Sequence, residues 1–449
     1  MPKAHHPTAL VHLLLAALCA CQPTPSPATR SHAPNQHLVL CDGASVSLYD
    51  LPTDFAAASA IKPQPLLKLD ANTHCPQWMP HSAQAILATH LVTGRTKMDE
   101  VRGRAHLRWF DAHTRQIEDF VTLNELDAAF VPIWQDQAKP RLAVLSLRDA
   151  DPRCLTQTTA FLAREICGNV HAEAFYLEPE GTLNQLTQLP EAACKLLPSP
   201  NGIWLAVLYG TCGGLRQNLQ LVRLDTGEAI QVPIDLSIYG VDDISWQPNS
   251  AAIAILARRQ SHSVMVSRVM RQQFNDILLY ELANQRVVPL ITGLVQLQFL
   301  SWLHQSDDTM LYAEGGVVWQ QRLNESRSKL VARVASLSQP PMRMCHPSFS
   351  LSHDDVLLAW QESCDGMAAH TGWLNLHTGQ LGFFDAMRNY KGVIRLSPNH
   401  AWIASITAER AQGTMLSRAS LIHTETGQRI DLGICPPGSR FDWIEMRDP

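Results

Sequence analysis

Nineteen histidines and eleven cysteines are the side chains of this 449-residue chain best suited to bind a metal, move a proton or act as a nucleophile. Neither set falls into a motif. Nine cysteines follow position 21, namely Cys41, Cys75, Cys154, Cys167, Cys194, Cys212, Cys345, Cys364 and Cys435. None forms the C-x-x-C pair expected of a zinc site or a redox dithiol. There is no H-E-x-x-H, which would set two histidines on one helix face with a glutamate as base. There is also no G-x-S-x-G, the strained turn that exposes a serine nucleophile. His90, His106, His304, His346 and His370 could meet on one face of a ring-shaped scaffold, but histidines scattered at random round a ring would do so too. From residue types, then, no catalytic residue, metal site or cofactor is assigned.

Composition narrows the classes further. The formal net charge of −5 leaves no global basic footprint, so nucleic acid is not an expected partner. Hydrophobic residues make up 46%, enough for a large core, while charged residues at 17% fall below the roughly 25% of ordinary globular proteins. The surface should be rich in uncharged polar groups.

The chain opens with Lys3, His5 and His6 before an apolar run from Leu10 to Leu18 that is too short for a mature membrane helix. It reads as a signal peptide over 1–20. Its end, Leu18-Cys19-Ala20-Cys21, resembles the bacterial lipobox, with Cys21 as the lipid acceptor and Cys19 an unusual residue at the middle position. An ordinary cleaved signal, with Ala20 at the cut, is the plainer alternative. Residues 21–36 hold the stretch QPTPSPATRSHAP, whose Pro, Ser and Thr content suits an extended tether. Gln22 after the acceptor implies, by the enterobacterial sorting pattern, an outer-membrane lipoprotein facing the periplasm.

The elements that must position any site come from an internal repeat. An apolar strand, a turn often holding Pro and Asn, and a second apolar strand recur as PQWMPHSAQAILATH, LLPSPNGIWLAVLYG, ISWQPNSAAIAILA and IRLSPNHAWIASI, with weaker copies from Val131, Leu300 and Pro347. Anchors at Trp78, Trp134, Leu197, Trp246, Trp302, Phe349 and Leu396 are spaced by roughly 46 to 64 residues, near or somewhat above propeller-blade length. Third strands end in Thr-Gly turns, as in LQLVRLDTGEAIQV, where glycine tolerates a positive φ. Four short antiparallel strands per unit make a propeller blade. HLVLCDG and SVSLYDL near the start look like second and third strands lacking a first. The segment RFDWIEM at Arg440–Met446 supplies it, with Trp443 lying 47 residues after Leu396. The expected fold is therefore an all-β propeller over 37–449 with eight blades, or seven as the alternative, closed by the C-terminal strand in the N-terminal blade.

With its Ser-Pro-Asn and Gln-Pro-Asn turns, the repeat resembles the TolB-type, WD40-like propeller repeat, also found in the propellers of prolyl oligopeptidases and dipeptidyl peptidases. The likeness covers nearly all of 37–446 and specifies fold better than function. TolB itself differs in having six blades and a separate domain in front. Some TolB-like propellers are polysaccharide lyases that use histidine and a metal, which makes a metal-dependent lyase or hydrolase the alternative function. An oligopeptidase would need a C-terminal α/β domain for which 449 residues leave no room.

In an exported chain the cysteines are disulfide candidates. Cys194 with Cys212, and Cys345 with Cys364, hold matching places on paired strands, and Cys154 with Cys167 would close one insertion. Cys41 with Cys435 would lock the ring, leaving Cys75 as the odd thiol or as a competitor for Cys41. Insertions at 93–104, 149–172 and 258–275 share the face of the second-to-third strand connections, where binding loops are expected. The last carries Arg258, Arg259, Met265, Arg268, Met270, Arg271 and Phe274, suited to an acidic or amphipathic partner or simply solvated. The sequence thus points to an envelope lipoprotein, anchored to the membrane by lipid, that binds or scaffolds protein partners without catalysis.

Overall fold

The computed structural model describes residues 35–51, 61–70, 73–79, 82–95, 101–125, 130–133, 141–147, 172–178, 182–210, 217–259, 264–267, 270–272, 274–295, 297–314, 316–333, 348–352, 354–361, 369–387, 390–411, 414–436 and 439–446. These residues form eight four-stranded antiparallel sheets, the blades of a propeller, and no helix. From innermost to outermost strand, blade 1 is Arg440–Met446, Asn35–Cys41, Ser45–Asp50 and Gln64–Lys68. Blade 2 is Gln77–Trp78, Gln84–Arg95, Val101–Asp111 and Gln116–Glu125, and blade 3 is Phe130–Ile133, Arg141–Leu147, Ala172–Leu177 and Leu183–Gln185. Blade 4 is Ala193–Pro198, Trp204–Gly210, Gln217–Arg223 and Ala229–Gln231. Blade 5 is Tyr239–Trp246, Ala252–Arg259, Phe274–Glu281 and Arg286–Val295, and blade 6 is Leu297–Trp302, Thr309–Glu314, Val317–Arg322 and Lys329–Arg333. Blade 7 is Ser348–Leu351, Leu357–Gln361, Ala369–Asn375 and Leu381–Met387, and blade 8 is Tyr390–Leu396, Trp402–Ala411, Thr414–His423 and Arg429–Cys435. Eight blades, not seven, make the ring.

The repeat motif works locally. In Ser-Pro-Asn turns the serine Oγ accepts the N–H that opens the second strand, from Trp204 to Ser199 and from Trp402 to Ser397, each at 2.9 Å. The asparagine Oδ1 accepts a further turn N–H, from Ile203 to Asn201 and from Ala401 to Asn399. These side-chain caps add to the backbone bonds of the turn, from the Ser199 N–H to the Trp204 carbonyl at 2.8 Å and from the Ser397 N–H to the Trp402 carbonyl at 2.9 Å. The next residue lies at positive φ in Gly202, Ser250, Asp355 and His400. At the same end of blades 4, 7 and 8 the Thr-Gly turns between third and fourth strands place Gly227, Gly379 and Gly427 at φ near 70°.

Apolar residues alternate along each strand, and the two faces of a blade meet different neighbours. The buried residues fall into eight clusters, each shared by two adjacent blades; Val39, Val46, Trp78 and Phe110 join blades 1 and 2, and Leu38, Leu40, Trp402 and Phe441 join blades 8 and 1. The ring is therefore closed by a core like any other. Around the inner rim the anchors hydrogen-bond backwards: Trp246 Nε1 donates to the Leu197 carbonyl at 3.0 Å and Trp302 Nε1 to the Ser245 carbonyl at 3.1 Å. First-strand turns are stitched likewise. Asp355 accepts from the His304 and Gln305 N–H groups, and Asp354 pairs with His400 at 2.8 Å.

Two anchors are displaced from the expected register. Pro198 and Leu351, not Leu197 and Phe349, end their strands as Trp246 and Leu396 do. Trp134 lies outside the described residues.

The expected Cys41–Cys435 lock is not formed. Cys41 is bonded to Cys75, with 5.7 Å between Cα atoms, and Cys435 is a buried free thiol. The pleat explains why. Cys41 points with Val39 into the cluster shared with blade 2, beside Cys75, whereas Cys435 lies with Leu38 and Leu40 in the cluster on the other face of the same sheet. Cys194 is disulfide-bonded. Cys21, Cys154, Cys167, Cys212, Cys345 and Cys364 lie outside the described residues.

Candidate interaction face

Second strands run toward one face of the ring, where they connect to third strands. Blades 1 and 6 make that connection tightly, at Asp42–Ala44 and around Gly316. Among the described residues, three blades extend it into ribbons. In blade 2 the strands stay paired out to Arg95 and Val101, and in blade 8 out to Ala411 and Thr414. In blade 5 the extension is a separate hairpin, Val264–Ser267 with Met270–Gln272. The expected insertions of blades 2 and 5 are thus partly ordered strand, while 149–171 lies outside the described residues.

Among the described residues, side chains at the base of the blade 5 ribbon form a connected polar network on this face. Tyr239 lies opposite Arg259 and Gly240 opposite Arg258, and a bulge between Val241 and Asp243 adds Asp242 to the first strand. Consecutive residues face opposite sides, so each arginine meets its own acid. Arg258 Nε donates to Asp242 at 2.6 Å, and Arg259 Nε donates to Asp276 at 2.8 Å. Asp276 is fully buried and also accepts the Tyr239 hydroxyl at 2.8 Å and the Gly293 N–H at 2.8 Å. Gly293 has φ +77°, a conformation that turns its N–H into the carboxylate and that side chains rarely adopt.

The electrostatics follow from this packing. Burial pushes the Asp242 carboxyl up, with Arg258 pulling it down. Burial also raises the Tyr239 phenol, and Asp276 adds to that. The hydrogen bond that Arg259 donates to Asp276 raises the guanidinium further and favours its charged form. Charges paired and hydrogen-bonded in this way hold the base of the ribbon in one geometry.

Arg258 and Arg259, read from the sequence as candidates for contact with a partner, are therefore half-buried and turned into the blade as struts. Phe274 begins the third strand and is partly buried. Met265 falls on one arm of the ribbon and Met270 and Arg271 on the other; Arg268 lies outside the described residues. Asp242, Asp276 and Tyr239 were missed. The Asp242-Asp243 doublet inside an apolar first strand was the available signal, since a strand facing two cores tolerates an acid only with a partner.

On the inner strands, Lys195 of blade 4 pairs with Asp243 of blade 5 at 2.7 Å. Burial pushes the Asp442 carboxyl of blade 1 up to about 6, against the pull of Arg395 and Arg440. The two candidate histidines whose side chains are described do not converge. His106 faces Asp119 of the outermost strand of blade 2 at 3.4 Å, and His304 binds Asp355 at 3.0 Å in a first-strand turn on the opposite face of the ring. The side chains of His90, His346 and His370 lie outside the description. Among the described residues no group of three His, Cys, Asp or Glu side chains could hold a metal ion.

No family model and no curated protein matches this sequence. Solved structures do. A eukaryotic initiation factor is similar over 92% of this chain and 98% of its own, at 10% identity and a TM-score of 0.52. A putative dipeptidyl aminopeptidase IV from Bacteroides ovatus is similar over 89% of this chain, at 10% identity and a TM-score of 0.50, and this chain spans 60% of its length. TolB from Acinetobacter baumannii aligns over 82% of this chain and 83% of its own, at 10% identity and a TM-score of 0.36. At such identities the first two likenesses show the propeller fold alone, and the third is too loose to argue from.

Proposed function

We propose that this chain is an envelope lipoprotein, anchored through Cys21, whose propeller is a non-catalytic scaffold for protein partners. The observation that carries this reading is the placement of chain entry against the ribbons. Asn35 lies opposite Met446 at the start of the second strand of blade 1, on the face of the first-strand turns. The three ribbons leave the opposite face. A tether over residues 22–34, at about 3 Å per residue when extended, would reach about 40 Å. An anchor attached there favours ribbons that point away from the membrane, toward proteins. The pinned base of the blade 5 ribbon supports the same reading, because a preorganised loop binds at lower entropic cost.

Intact mass of the protein purified from membranes of its native host, compared with Cys21→Ala, tests the anchor. Crosslinking in the envelope tests the scaffold. A lipid-modified mass beginning at Cys21, with one or a few dominant envelope partners, is the expected result. An unmodified soluble form without stable partners would sink both parts of the proposal and direct attention to metal analysis and to polysaccharide or peptide substrates.

A further inference from the structure

The innermost strands of the eight blades surround the axis of the ring, and both faces of each blade are covered by its neighbours. A side chain exposed along an innermost strand therefore opens onto the central channel. The ladders set these residues in tiers. In blades 6, 7 and 8, Ser301, Ser350 and Arg395 stand just before the anchor that ends the strand, and Asp442, just before Trp443, takes that place in blade 1. Arg440 lies two residues nearer the ribbon face on the same side of its strand, about 7 Å along it.

Arg395 and Arg440 are both exposed, and among the described residues neither is ion-paired with a carboxylate. Arg395 Nη1 donates to the Ile394 carbonyl at 3.0 Å, which leaves the other N–H groups of its fork for a ligand. The remaining described cation of the channel, Lys195, is held by Asp243 at 2.7 Å. Next to Arg395, the Ser350 Oγ accepts the Leu396 N–H at 3.3 Å and so keeps its O–H to donate, while Ser301 donates to the Trp302 carbonyl at 3.0 Å and keeps its lone pairs to accept.

Asp442 is the acid that acts on both arginines, and burial drives its carboxyl toward the neutral form. Other titratable groups near it are otherwise engaged or turned outward: on the neighbouring second strand His37 is paired with Asp50 at 2.7 Å, the blade 2 first strand Gln77–Trp78 carries none, and His74 on its approach is exposed. With Asp442 neutral, the channel holds two guanidinium forks without a carboxylate, beside one hydroxyl donor and one hydroxyl acceptor. Such forks match the planar carboxylate.

We propose that the central channel seats a small hydroxylated carboxylate, its carboxylate across the Arg395 and Arg440 guanidiniums and its hydroxyl groups on Ser350 and Ser301. The ligand replaces Asp442 as the partner of the two arginines. Lying inside the ring, the site is independent of the scaffold reading.

The test is calorimetric titration of the full chain at pH 5 with glycerate, propionate, glycerol and inorganic phosphate. Glycerate should bind at least about tenfold more tightly than each of the others. Arg395→Gln and Arg440→Gln, each verified as folded by circular dichroism, should each weaken glycerate by about tenfold or more; if Arg395→Gln does not fold, Arg440→Gln at the channel mouth carries the test. Ser350→Ala should weaken glycerate and leave propionate unchanged. Raising the pH to 7.5 should weaken glycerate by roughly tenfold to thirtyfold, because the ionised Asp442 competes for the same arginines. Asp442→Asn should abolish that dependence and His74→Gln should preserve it. Tighter binding of phosphate, equal binding of propionate or glycerol, indifference to the arginine changes, or a pH dependence that survives Asp442→Asn or vanishes in His74→Gln overturns the proposal.

Discussion

Replacing Cys75 by serine separates the two ways in which cysteine could staple the ring. The Cys41–Cys75 bond spans 34 residues and ties the second strand of blade 1 to the approach to blade 2. In the chain-entropy account, releasing a closed loop of that length returns about 12 to 13 cal/mol/K to the unfolded chain, or about 3.7 kcal/mol at 25 °C. For a single cooperative ring of about 410 residues the unfolding entropy is about 0.9 kcal/mol/K, so Cys75→Ser should lower Tm by about 4 °C. Cys435→Ser, which removes a buried thiol and no crosslink, should cost less than about 1 kcal/mol, or about 1 °C. Calorimetry of both variants under non-reducing conditions reads the difference. In Cys75→Ser, Cys41 and Cys435 should both alkylate after denaturation without reductant, because the sheet lies between them. The reasoning is refuted if Cys435→Ser shows the larger loss, or if non-reducing peptide maps of the native protein yield a Cys41–Cys435 crosslink.

Asp276→Ala removes the acceptor for Tyr239, Arg259 and Gly293 and leaves a half-buried guanidinium uncompensated; a loss of about 3–5 kcal/mol in chemical denaturation is expected. Ser397→Ala strips the cap from the buried Trp402 N–H and should cost about 1–2 kcal/mol, while Ser397→Thr, which keeps the acceptor, should cost less. Asp442 sets a pH dependence. Its folded pKa near 6 lies above the ordinary 3.8, so the folded ring holds the proton more tightly than the unfolded chain. This contribution to stability is fully present below pH 4 and is lost as pH rises through 6, by an amount on the order of 2–3 kcal/mol. Asp442→Asn should therefore raise Tm at pH 7.5, leave it unchanged near pH 4 and remove that part of the slope; equal effects at both pH values would contradict the assignment.

Much of the architecture was legible because its causes are local. Ser199, Asn201, Ser397 and Asn399 cap turns within five residues of themselves, so the turn chemistry is written into each copy of the repeat. The Thr-Gly turns and the alternation of apolar residues are equally local, and a strand of this repeat at each end of the chain demanded closure. Register was less legible. Leu197 and Phe349 are apolar like their neighbours, and only the ladder shows that Pro198 and Leu351 hold the strand ends.

The site was read less well, for a physical reason. Arg258 and Arg259 look like solvent-seeking charges on an insertion, but their acids come from strands sixteen and seventeen residues away, and one of them exists only because a bulge adds Asp242. The turn between blades 4 and 5 that holds Leu236 and Ile238 outward is set by backbone bonds to Asp235 that no periodicity announces. By itself the sequence determined the blade, its turns and the closing of the ring, since these follow from side-chain period and nearest-neighbour hydrogen bonds. Only the tertiary structure decided which thiol Cys41 meets, which acids hold the arginines and which apolar side chains stay exposed. Those depend on which face of a pleated strand a residue occupies, and one residue of register reverses that face.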